Sequence, residues 1–516
     1  MKAKFSLFLT LLSLLVFSQI EEAKLDHLIR NTLTTFDVPG ISVGIVKDGK
    51  VVYAKGFGVN SLTTKGAMNE NTLVGIASNS KGFTATALAM LADEGKLSFD
   101  DKVTKFLPEF QMYDPYVSQQ ITIRDLLTHR AGLGLGKGDL MFFPEGGSLT
   151  VNDIIHNVRY LKPANEFRNS LDYNNIMFIV AGEVIHRVSG LSWAEFIEQR
   201  ILKPVGMNSS FGSYNRAVAA GASNIISAHA PVDGKAVAVP HDWNETANAA
   251  GGIISNITDM NTWAQFLIDG FTTKDGKKLV SDKQIYQLWN LQIATPVALK
   301  NPYDSNFAGY GLGWFLTDVK GHKQVYHTGG LIGTVTQFTV IPDLKLGIVV
   351  LTNQQSGAAF SAITNTVKDA YLGIPERNWL KQYGDRMAKI NADYEKEKKE
   401  IFATSAKFAK ERSCQIEAAQ VVGMYSDPWF GDVVISQQGK TLRFASKNSP
   451  RLTGELLPYS PNVMILKWND RSYDADAFVY FAFDEKGVAQ GITMKAISDV
   501  TDFSFDFGDL DFKRKK

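Results

Sequence analysis

Two strand-rich segments stand far apart in the chain, with mostly helical sequence between them. The first, VPGISVGIVKDGKVVYAKGFGVN, has two β-rich runs around Asp48-Gly49, which is a strong hairpin signal. The second, TQFTVIPDLKLGIVVLTN, has two such runs around Pro342-Asp343. Residues 75 to 320 carry most of the helical pattern. This order predicts an α+β fold, in which an antiparallel sheet is built from both ends and a groove separates it from a helical insertion.

The chain changes character after residue 372. Residues 373 to 415 centre on a charged, helix-prone run that is poor in glycine, and they predict a solvated helical connector. Residues 416 to 516 alternate apolar and polar positions in GDVVISQQGKTLRFAS, NVMILKW, FVYFAFDEKGVAQGITMK and TDFSFDF. We therefore expect a second domain there, a small antiparallel β-barrel or sandwich.

The N-terminus has the layout of a secretory signal peptide. Lys2 and Lys4 precede an apolar run that ends at Phe17, and the small residue Ser18 follows. The run is short for a membrane span, so we expect residues 1 to 18 to be cleaved. The mature chain would then be exported to the periplasm or the cell exterior, without stable membrane insertion.

Charge and motif content exclude several classes of function. The 54 Lys and Arg residues nearly balance 53 Asp and Glu residues, so no basic field supports nucleic-acid binding. The sequence contains no H-E-x-x-H, no paired C-x-x-C and no G-x-x-x-x-G-K-[ST] motif, and therefore no metal or other cofactor is predicted. A G-x-S-x-G nucleophile elbow is also missing.

Three short elements can carry chemistry. Ser78-Asn79-Ser80-Lys81 precedes a helix-forming run, and residues i and i+3 share a helix face, so the Lys81 amine can approach the Ser78 hydroxyl. Such a lysine can activate a serine only if its pKa is drawn toward neutrality. Tyr173 and Asn175 stand before an apolar helix, where tyrosine can relay a proton and asparagine can orient a neighbour. Each element alone is equally compatible with capping or packing.

The third element is His327-Thr328-Gly329-Gly330, followed by strand-like residues. Alone it predicts a turn. In the order Ser78-x-x-Lys81, Tyr173-x-Asn175, His327-x-Gly329, however, the sequence resembles the serine β-lactamase and penicillin-binding-protein superfamily. It is most similar to the class C-like branch that includes esterases and D-aminopeptidases with an H-x-G third motif.

Further segments extend this resemblance over residues 22 to 372. ITIRDLLTHRAGL, AAGGIISNITDMNTWAQFLIDG and YGLGWF look like landmarks of the superfamily. The segments GKGDLMFF and FRNSLDYNNIMF resemble segments of serine hydrolases that carry a C-terminal, lipocalin-like β-barrel domain. A barrel of this kind agrees with the β-rich residues 416 to 516.

The resemblance implies a role for each motif residue. Ser78 would be the nucleophile, with Lys81 or Tyr173 as the base. The amides of Ser78 and Gly330 would form the oxyanion hole. Asn175, together with the motif residues 327 to 329, would bind and orient the acyl substrate. This substrate would be a small molecule or a peptide, and cell-wall fragments are among the candidates.

One position departs from the superfamily pattern. Penicillin-targeted members carry lysine where this chain has His327, and imidazole is charged only part of the time at neutral pH. Weaker anchoring of a substrate carboxylate shifts the expected substrates toward esters, amides and D-amino-acid peptides, and away from β-lactams.

The sequence leaves other functions open. The protein could be a true β-lactamase, or a penicillin-recognising receptor or peptidoglycan-binding protein that is acylated without turnover. The β-rich domain could also bind a hydrophobic ligand or mediate assembly into an oligomer.

Overall fold

The computed structural model describes residues 20–411 and 416–516, so the expected signal peptide lies outside the described residues. The N-terminal domain is centred on an eight-stranded antiparallel sheet with the order β2-β1-β12-β11-β10-β9-β8-β7, and two small two-stranded sheets pair β3 with β6 and β4 with β5. The strands of this domain are β1 (Gly40–Lys47), β2 (Lys50–Gly58), β3 (Val74–Gly75), β4 (Ala228–Val232), β5 (Lys235–Val239), β6 (Ile254–Ser255), β7 (Ile293–Thr295), β8 (Ala308–Tyr310), β9 (Phe315–Val319), β10 (His322–Leu331), β11 (Thr334–Ile341) and β12 (Leu346–Thr352). Strand β1 pairs with both β2 and β12, with Val43 opposite Val350, so the two ends of the domain meet in one sheet as predicted.

Helices cover both faces of this sheet and fill the insertion between its strands. They are α1 (Glu22–Thr35), α2 (Ser80–Asp93), α3 (Pro115–Gln120), α4 (Ile123–Leu127), α5 (Val151–Asn157), α6 (Ile176–Ser189), α7 (Trp193–Ile197), α8 (Lys203–Val205), α9 (Tyr214–Ala219), α10 (Asn248–Gly251), α11 (Ile257–Ile268), α12 (Asp282–Leu288) and α13 (Gly357–Tyr371). Two helices follow them in the chain: α14 (Trp379–Phe408), and α15 (Ala418–Val421) just before the C-terminal domain's first strand. Within the part of the chain described, no single helix is long and apolar enough to cross a membrane. One bent pair of helices, Ile176–Ser189 with Trp193–Val205, is long and apolar enough when the two are taken together, by length and composition only.

Strand β1 is buried on both faces because helices pack on both sides of it. Ile41, Val43 and Ile45 pack in one cluster with buried side chains of α1 and α13. On the opposite face, Gly44 lies against Asn261 of α11, where an added Cβ atom would stand 2.3 Å from the Asn261 side-chain oxygen. The lack of a side chain at Gly44 therefore allows α11 to approach the sheet closely.

Helix α2 runs through the interior of the insertion. Every residue from Ser80 to Leu91 is buried, and a helix that is buried all round belongs inside a core rather than on its surface. At Gly82 an added Cβ atom would stand 2.2 Å from the ring of Trp314, so the indole packs directly on the helix backbone. Lys81, in the first turn, is thereby carried into the interior of the domain.

The C-terminal domain is a closed barrel of eight antiparallel strands. They are β13 (Gly423–Asp427), β14 (Gly431–Gln438), β15 (Thr441–Ser446), β16 (Thr453–Ser460), β17 (Val463–Trp468), β18 (Ala477–Phe483), β19 (Ala489–Ala496) and β20 (Asp511–Arg514). Strand β13 closes the barrel by pairing with β20, with Tyr425 opposite Arg514. The predicted fold class, an α+β domain followed by a small antiparallel barrel, is confirmed.

The predicted strand TDFSFDF, residues 501 to 507, is wrong. This run forms turns that lead into a 3₁₀ turn at Phe507–Asp509, and β20 begins only at Asp511. Its amides bond locally: Ser504 N donates to a side-chain oxygen of Asp502 at 2.9 Å and Phe505 N donates to the Asp502 carbonyl at 3.0 Å. Aspartate side chains commonly accept hydrogen bonds from nearby backbone amides and so favour turns. The alternating phenylalanines of this run, however, match the pattern of a strand.

Helix α14 links the two domains and touches both. Most of its length is exposed, but Trp379 is buried against the N-terminal domain and donates from its indole to Asp369 at 2.7 Å. Further along, Ser405 donates to the Pro458 carbonyl of the barrel at 2.8 Å. The charged helix expected between the domains therefore also packs against each of them.

Candidate active site

Ser78 lies in a 3₁₀ turn, Ala77–Asn79, immediately before α2. Ala77 has a φ of 50°, in the left-handed region that residues other than glycine seldom adopt. The side-chain amide of Asn79 donates to the Thr336 hydroxyl at 2.8 Å, which ties the turn to β11. The turn presents the half-buried Ser78 to a cleft between the sheet and the helical insertion.

Lys81 is fully buried beneath Ser78, and its amine has three oxygen partners. Nζ lies 3.0 Å from Ser78 Oγ, 2.7 Å from Asn175 Oδ1 and 3.0 Å from the Ala250 carbonyl oxygen. Burial lowers the pKa of Lys81 to about 7, although the Asp139 carboxylate acts in the opposite direction. At neutral pH a large fraction of the amine is therefore unprotonated.

Tyr173 forms one wall of the same cleft. Its ring lies 4.9 Å from Lys81 Nζ and packs 4.2 Å from the His129 ring, centroid to centroid. Burial raises the pKa of Tyr173 well above its ordinary value, although the Ser78 hydroxyl acts in the opposite direction. The phenol is consequently protonated at neutral pH, so it can donate or relay a proton there.

The third motif lies on the part of β10 that extends beyond β9. Pairing between these strands covers His322 to Tyr326, so residues 327 to 331 have no β9 partner among the described residues. Only this last part of β10 lies at an edge of the sheet, because β10 is otherwise an interior strand between β11 and β9. Thr328 and Gly330 line the cleft from this position.

His327 is buried, and both of its ring nitrogens have partners within the protein. Nδ1 lies 2.6 Å from the Thr328 carbonyl oxygen, and Nε2 lies 2.9 Å from the Tyr310 hydroxyl. These distances fit a neutral ring that donates to the carbonyl and accepts from the phenol. Burial, reinforced by Lys81, lowers the pKa of His327 to about 3. The partial positive charge expected from the ordinary imidazole pKa is therefore absent at neutral pH.

Gly329 and Gly330 have different structural roles. A Cβ atom at Gly329 would stand 2.3 Å from the Ile76 carbonyl oxygen and 2.8 Å from Ala77 Cβ. Strand β10 therefore packs against the backbone that precedes Ser78, and only glycine permits this approach. A Cβ atom at Gly330 would meet nothing within 4 Å, because this residue faces the open cleft.

The cleft encloses about 320 Å³ and both domains line it. The lining residues are Ser78, Leu135, Phe142, Phe143, Tyr173, Asn175, Asn244, Phe315, His327, Thr328, Gly330, Leu331, Asp502, Phe503 and Ser504. None of these described residues is a lysine or an arginine, and the set is rich in aromatic side chains. The cleft is thus a largely apolar site with one acidic residue, Asp502, contributed by the barrel.

All the motif residues predicted from the sequence meet at or beside this cleft, but several neighbours were not foreseen. Ala250, His129 and Tyr310 lie in segments used only for the resemblance, AAGGII, LLTHRAGL and YGLGWF. Asp139 lies in GKGDLMFF, and its carboxylate accepts a hydrogen bond from Asn175 Nδ2 at 2.8 Å. No sequence pattern predicts that residues 502 to 504 line the cleft, because sequence spacing does not show which barrel turn reaches the other domain.

Comparison with known proteins identifies the family of each domain. The Beta-lactamase family matches residues 25–372, which is most of the chain. The protein belongs to the beta-lactamase family. A Domain of unknown function (DUF3471) matches residues 416–514, the region of the barrel. Together with its hydrolase-named relatives, this membership makes the protein a serine hydrolase of the beta-lactamase family.

Individual relatives are distant. The chain is 28% identical to the unguisins hydrolase ungD' of Aspergillus campestris over 377 residues, covering 70% of this chain and 67% of that protein. It is 28% identical to protein flp of Staphylococcus aureus over 343 residues, covering 65% of this chain and 64% of that protein. The match therefore spans about two thirds of the length of these relatives.

Solved structures share the fold. The octameric penicillin-binding protein homologue from Pyrococcus abyssi superposes with a TM-score of 0.62 at 24% identity, covering 92% of this chain and 98% of that chain. A class C beta lactamase from Rhodobacter sphaeroides superposes with a TM-score of 0.53 at 18% identity, covering 68% of this chain and 98% of that chain. The finer assignment to the esterase and D-aminopeptidase branch stays a prediction.

The contrast between the two glycines can be measured. We expect Gly329→Ala to lower the free energy of unfolding by about 2 kcal/mol, because the new methyl group must push β10 away from the turn that carries Ser78. Gly330→Ala is the matched control and should change the free energy of unfolding by less than about 0.5 kcal/mol. Urea unfolding of both variants tests the contact, and equal midpoints for the two variants would refute it.

Proposed function

We propose that the protein hydrolyses uncharged esters and amides, including peptides with D-amino acids, through an acyl-enzyme on Ser78. The observation that carries the proposal is the buried Lys81 amine 3.0 Å from Ser78 Oγ, with its pKa lowered to about 7. A serine hydroxyl becomes an effective nucleophile when a neighbouring base accepts its proton. Similarity to proteins named unguisins hydrolase supports hydrolysis as the reaction.

In the proposed acylation step, Ser78 Oγ attacks the substrate carbonyl carbon while its proton passes to unprotonated Lys81. The carbonyl oxygen becomes an oxyanion, which the backbone amides of Ser78 and Gly330 stabilise. Collapse of this intermediate breaks the ester or amide bond, and the proton on Lys81 passes to the leaving group, directly or through Tyr173. The acyl group then remains on Ser78, and the site has neither gained nor lost a proton.

Deacylation repeats these events with water as the nucleophile. Lys81 accepts a proton from the attacking water, and the same proton returns to Ser78 Oγ as the acid leaves. We assign the base to Lys81 rather than to Tyr173, because burial lowers the pKa of the amine toward neutrality and raises that of the phenol. Asn175 supports this role by accepting a hydrogen bond from Lys81 Nζ at 2.7 Å.

The charges of the cleft support an uncharged substrate. His327 is neutral and both of its ring nitrogens are already engaged, so it supplies no cation for a substrate carboxylate. The acidic residue on the cleft wall, Asp502, would repel such a carboxylate in its ionised form, although burial raises its pKa. β-Lactams with a carboxylate beside the reactive bond therefore fit this site less well than neutral esters and amides.

Covalent labelling tests the nucleophile. We expect a fluorophosphonate to label the wild-type protein at Ser78, as located by peptide mass spectrometry, and Ser78→Ala to lose both the label and hydrolysis of p-nitrophenyl butyrate by at least about 10³-fold. Circular dichroism of the variant provides the folding control. An unlabelled wild-type protein would contradict the proposal, and a stable acyl-enzyme without ester turnover would favour an acylated receptor.

The pH dependence tests the base. Only the unprotonated amine can accept a proton, so kcat/KM for a neutral ester should rise with pH, with a midpoint near the lowered pKa of Lys81, about 7. Below this midpoint kcat/KM should fall about tenfold per pH unit, and above it we expect a plateau to at least about pH 9. A midpoint above about pH 9 would instead point to a lysine that keeps its ordinary pKa.

A pair of substrates that differ by one carboxylate tests the charge argument. We expect p-nitrophenyl butyrate to have a kcat/KM at least about tenfold higher than the mono-p-nitrophenyl ester of succinate. The described residues that line the cleft include no lysine or arginine to bind a substrate carboxylate, and ionised Asp502 would repel it. Asp502→Asn should narrow this ratio. Equal or preferential hydrolysis of the succinate ester would show that another group binds the carboxylate.

A further inference from the structure

One turn of the N-terminal domain is held by the barrel at several consecutive residues. Asp506 accepts hydrogen bonds from Gly138 N at 2.6 Å and from Leu140 N at 3.4 Å, one through each carboxylate oxygen. Next to these, Lys137 Nζ lies 2.7 Å from a side-chain oxygen of Asp509. The barrel residues involved belong to the segment 501 to 509, whose first seven residues are the run TDFSFDF that the sequence predicts as a strand.

Close packing supports the same contact. Gly136 has a φ of 68°, and an added Cβ atom there would stand 2.6 Å from the Phe503 carbonyl oxygen. The ring of Phe505 packs edge-on against Phe143, with 5.0 Å between the centroids. The barrel segment therefore contacts the 136 to 140 turn through backbone, charged and aromatic groups.

Asp139 lies in the middle of this turn and is completely buried. Its Oδ2 accepts one hydrogen bond from Ser504 Oγ of the barrel and one from Asn175 Nδ2, both at 2.8 Å. Its Oδ1 has no hydrogen-bond partner among the described residues. The carboxylate thus joins the barrel to the motif residue Asn175.

The opposite end of the Asn175 amide meets Lys81. Asn175 Oδ1 accepts from Lys81 Nζ at 2.7 Å, while Asn175 Nδ2 donates to Asp139. A rotation of the amide would place its oxygen against the carboxylate and its NH₂ group against the amine, and both hydrogen bonds would be lost. Asp139 therefore determines which end of Asn175 faces Lys81.

Asp139 also acts on Lys81 through its charge. The Asp139 carboxylate raises the pKa of Lys81, whereas burial lowers it, and burial raises the pKa of Asp139 itself to about 7. Other titratable groups also face this pair from the surrounding elements: Tyr173, His129, His327, Asp502 and Asp506. The first three are neutral at pH 7, and the last two belong to the barrel segment.

We infer that Asp139 is a positioning residue for Lys81 and that Ser504 and Asp506 of the barrel hold it in place, so that the C-terminal domain completes the catalytic network. This inference rests on the proposed role of Lys81 as the base. It assigns to the barrel a function in catalysis that is distinct from covering the cleft or mediating assembly.

Asp139→Asn is the central test, because the amide keeps the shape of the side chain and an oxygen acceptor but removes the charge. We expect the plateau of kcat/KM on p-nitrophenyl butyrate to fall about tenfold. The rising limb of its pH profile should shift about one pH unit toward acid, because the charge that raises the pKa of Lys81 is gone. A purely structural role would lower activity without moving this limb.

Ser504 variants test the contribution of the barrel. Ser504→Ala should shift the limb in the same direction but by less, because the hydroxyl stabilises the charged form of Asp139. Ser504→Thr keeps the hydroxyl and should restore the wild-type limb. Ser436→Ala, on β14 away from the cleft lining, is the matched control and should leave the profile unchanged. In the Asp139→Asn background, Ser504→Ala should produce no further shift of the limb.

The results separate the two proposals. If the wild-type protein is labelled at Ser78 and has a rising limb near pH 7, but Asp139→Asn leaves both the limb and the plateau unchanged, the inference is overturned and the proposed function stands. Additive limb shifts of the Asp139 and Ser504 substitutions would likewise overturn the connection through the barrel. If the wild-type protein is not labelled at Ser78, the proposed function itself fails. Should Asp139→Asn not fold, the shift produced by Ser504→Ala and its absence in Ser504→Thr decide the question.

Discussion

The burial of one amine, that of Lys81, is the constraint on which the rest of the site depends. A lysine taken out of water loses stability in its charged form, which is why its pKa falls to about 7. The fold compensates with oxygen acceptors from three places in the chain, Ser78, Asn175 and the Ala250 carbonyl. Those acceptors must converge within hydrogen-bonding distance, so the turn before α2, the start of α6 and the short helix α10 all have to pack around α2.

The same burial explains the chemistry of the cleft walls. A site dry enough to lower the pKa of Lys81 also lowers that of His327 and raises that of Tyr173. The third motif therefore contributes a neutral imidazole that accepts a hydrogen bond from the Tyr310 hydroxyl, instead of a cation that would bind a carboxylate. The barrel adds Asp502 and Phe503 to one wall, so both domains line the cleft beside Ser78.

Much of this arrangement was predictable from local patterns. The Ser78 and Lys81 spacing predicted their contact, because residues three apart share a helix face, and the two hairpin signals predicted that both ends of the first domain share a sheet. The run TDFSFDF was misleading, because its alternating phenylalanines resemble a strand while its aspartates bind backbone amides in turns. Export through residues 1 to 18 and the esterase or D-aminopeptidase branch stay predictions.

The sequence by itself determined the family, the order of the domains and the identity of the motif residues, because these depend on spacing along the chain. Only the tertiary structure decided the charge states of Lys81 and His327, since these depend on how completely other elements exclude water from the side chains. It alone also decided that Ser504, which is 365 residues away from Asp139 in the chain, is its hydrogen-bond partner. Contacts between separately folded elements follow from how their surfaces pack, and no local pattern in either segment encodes that geometry.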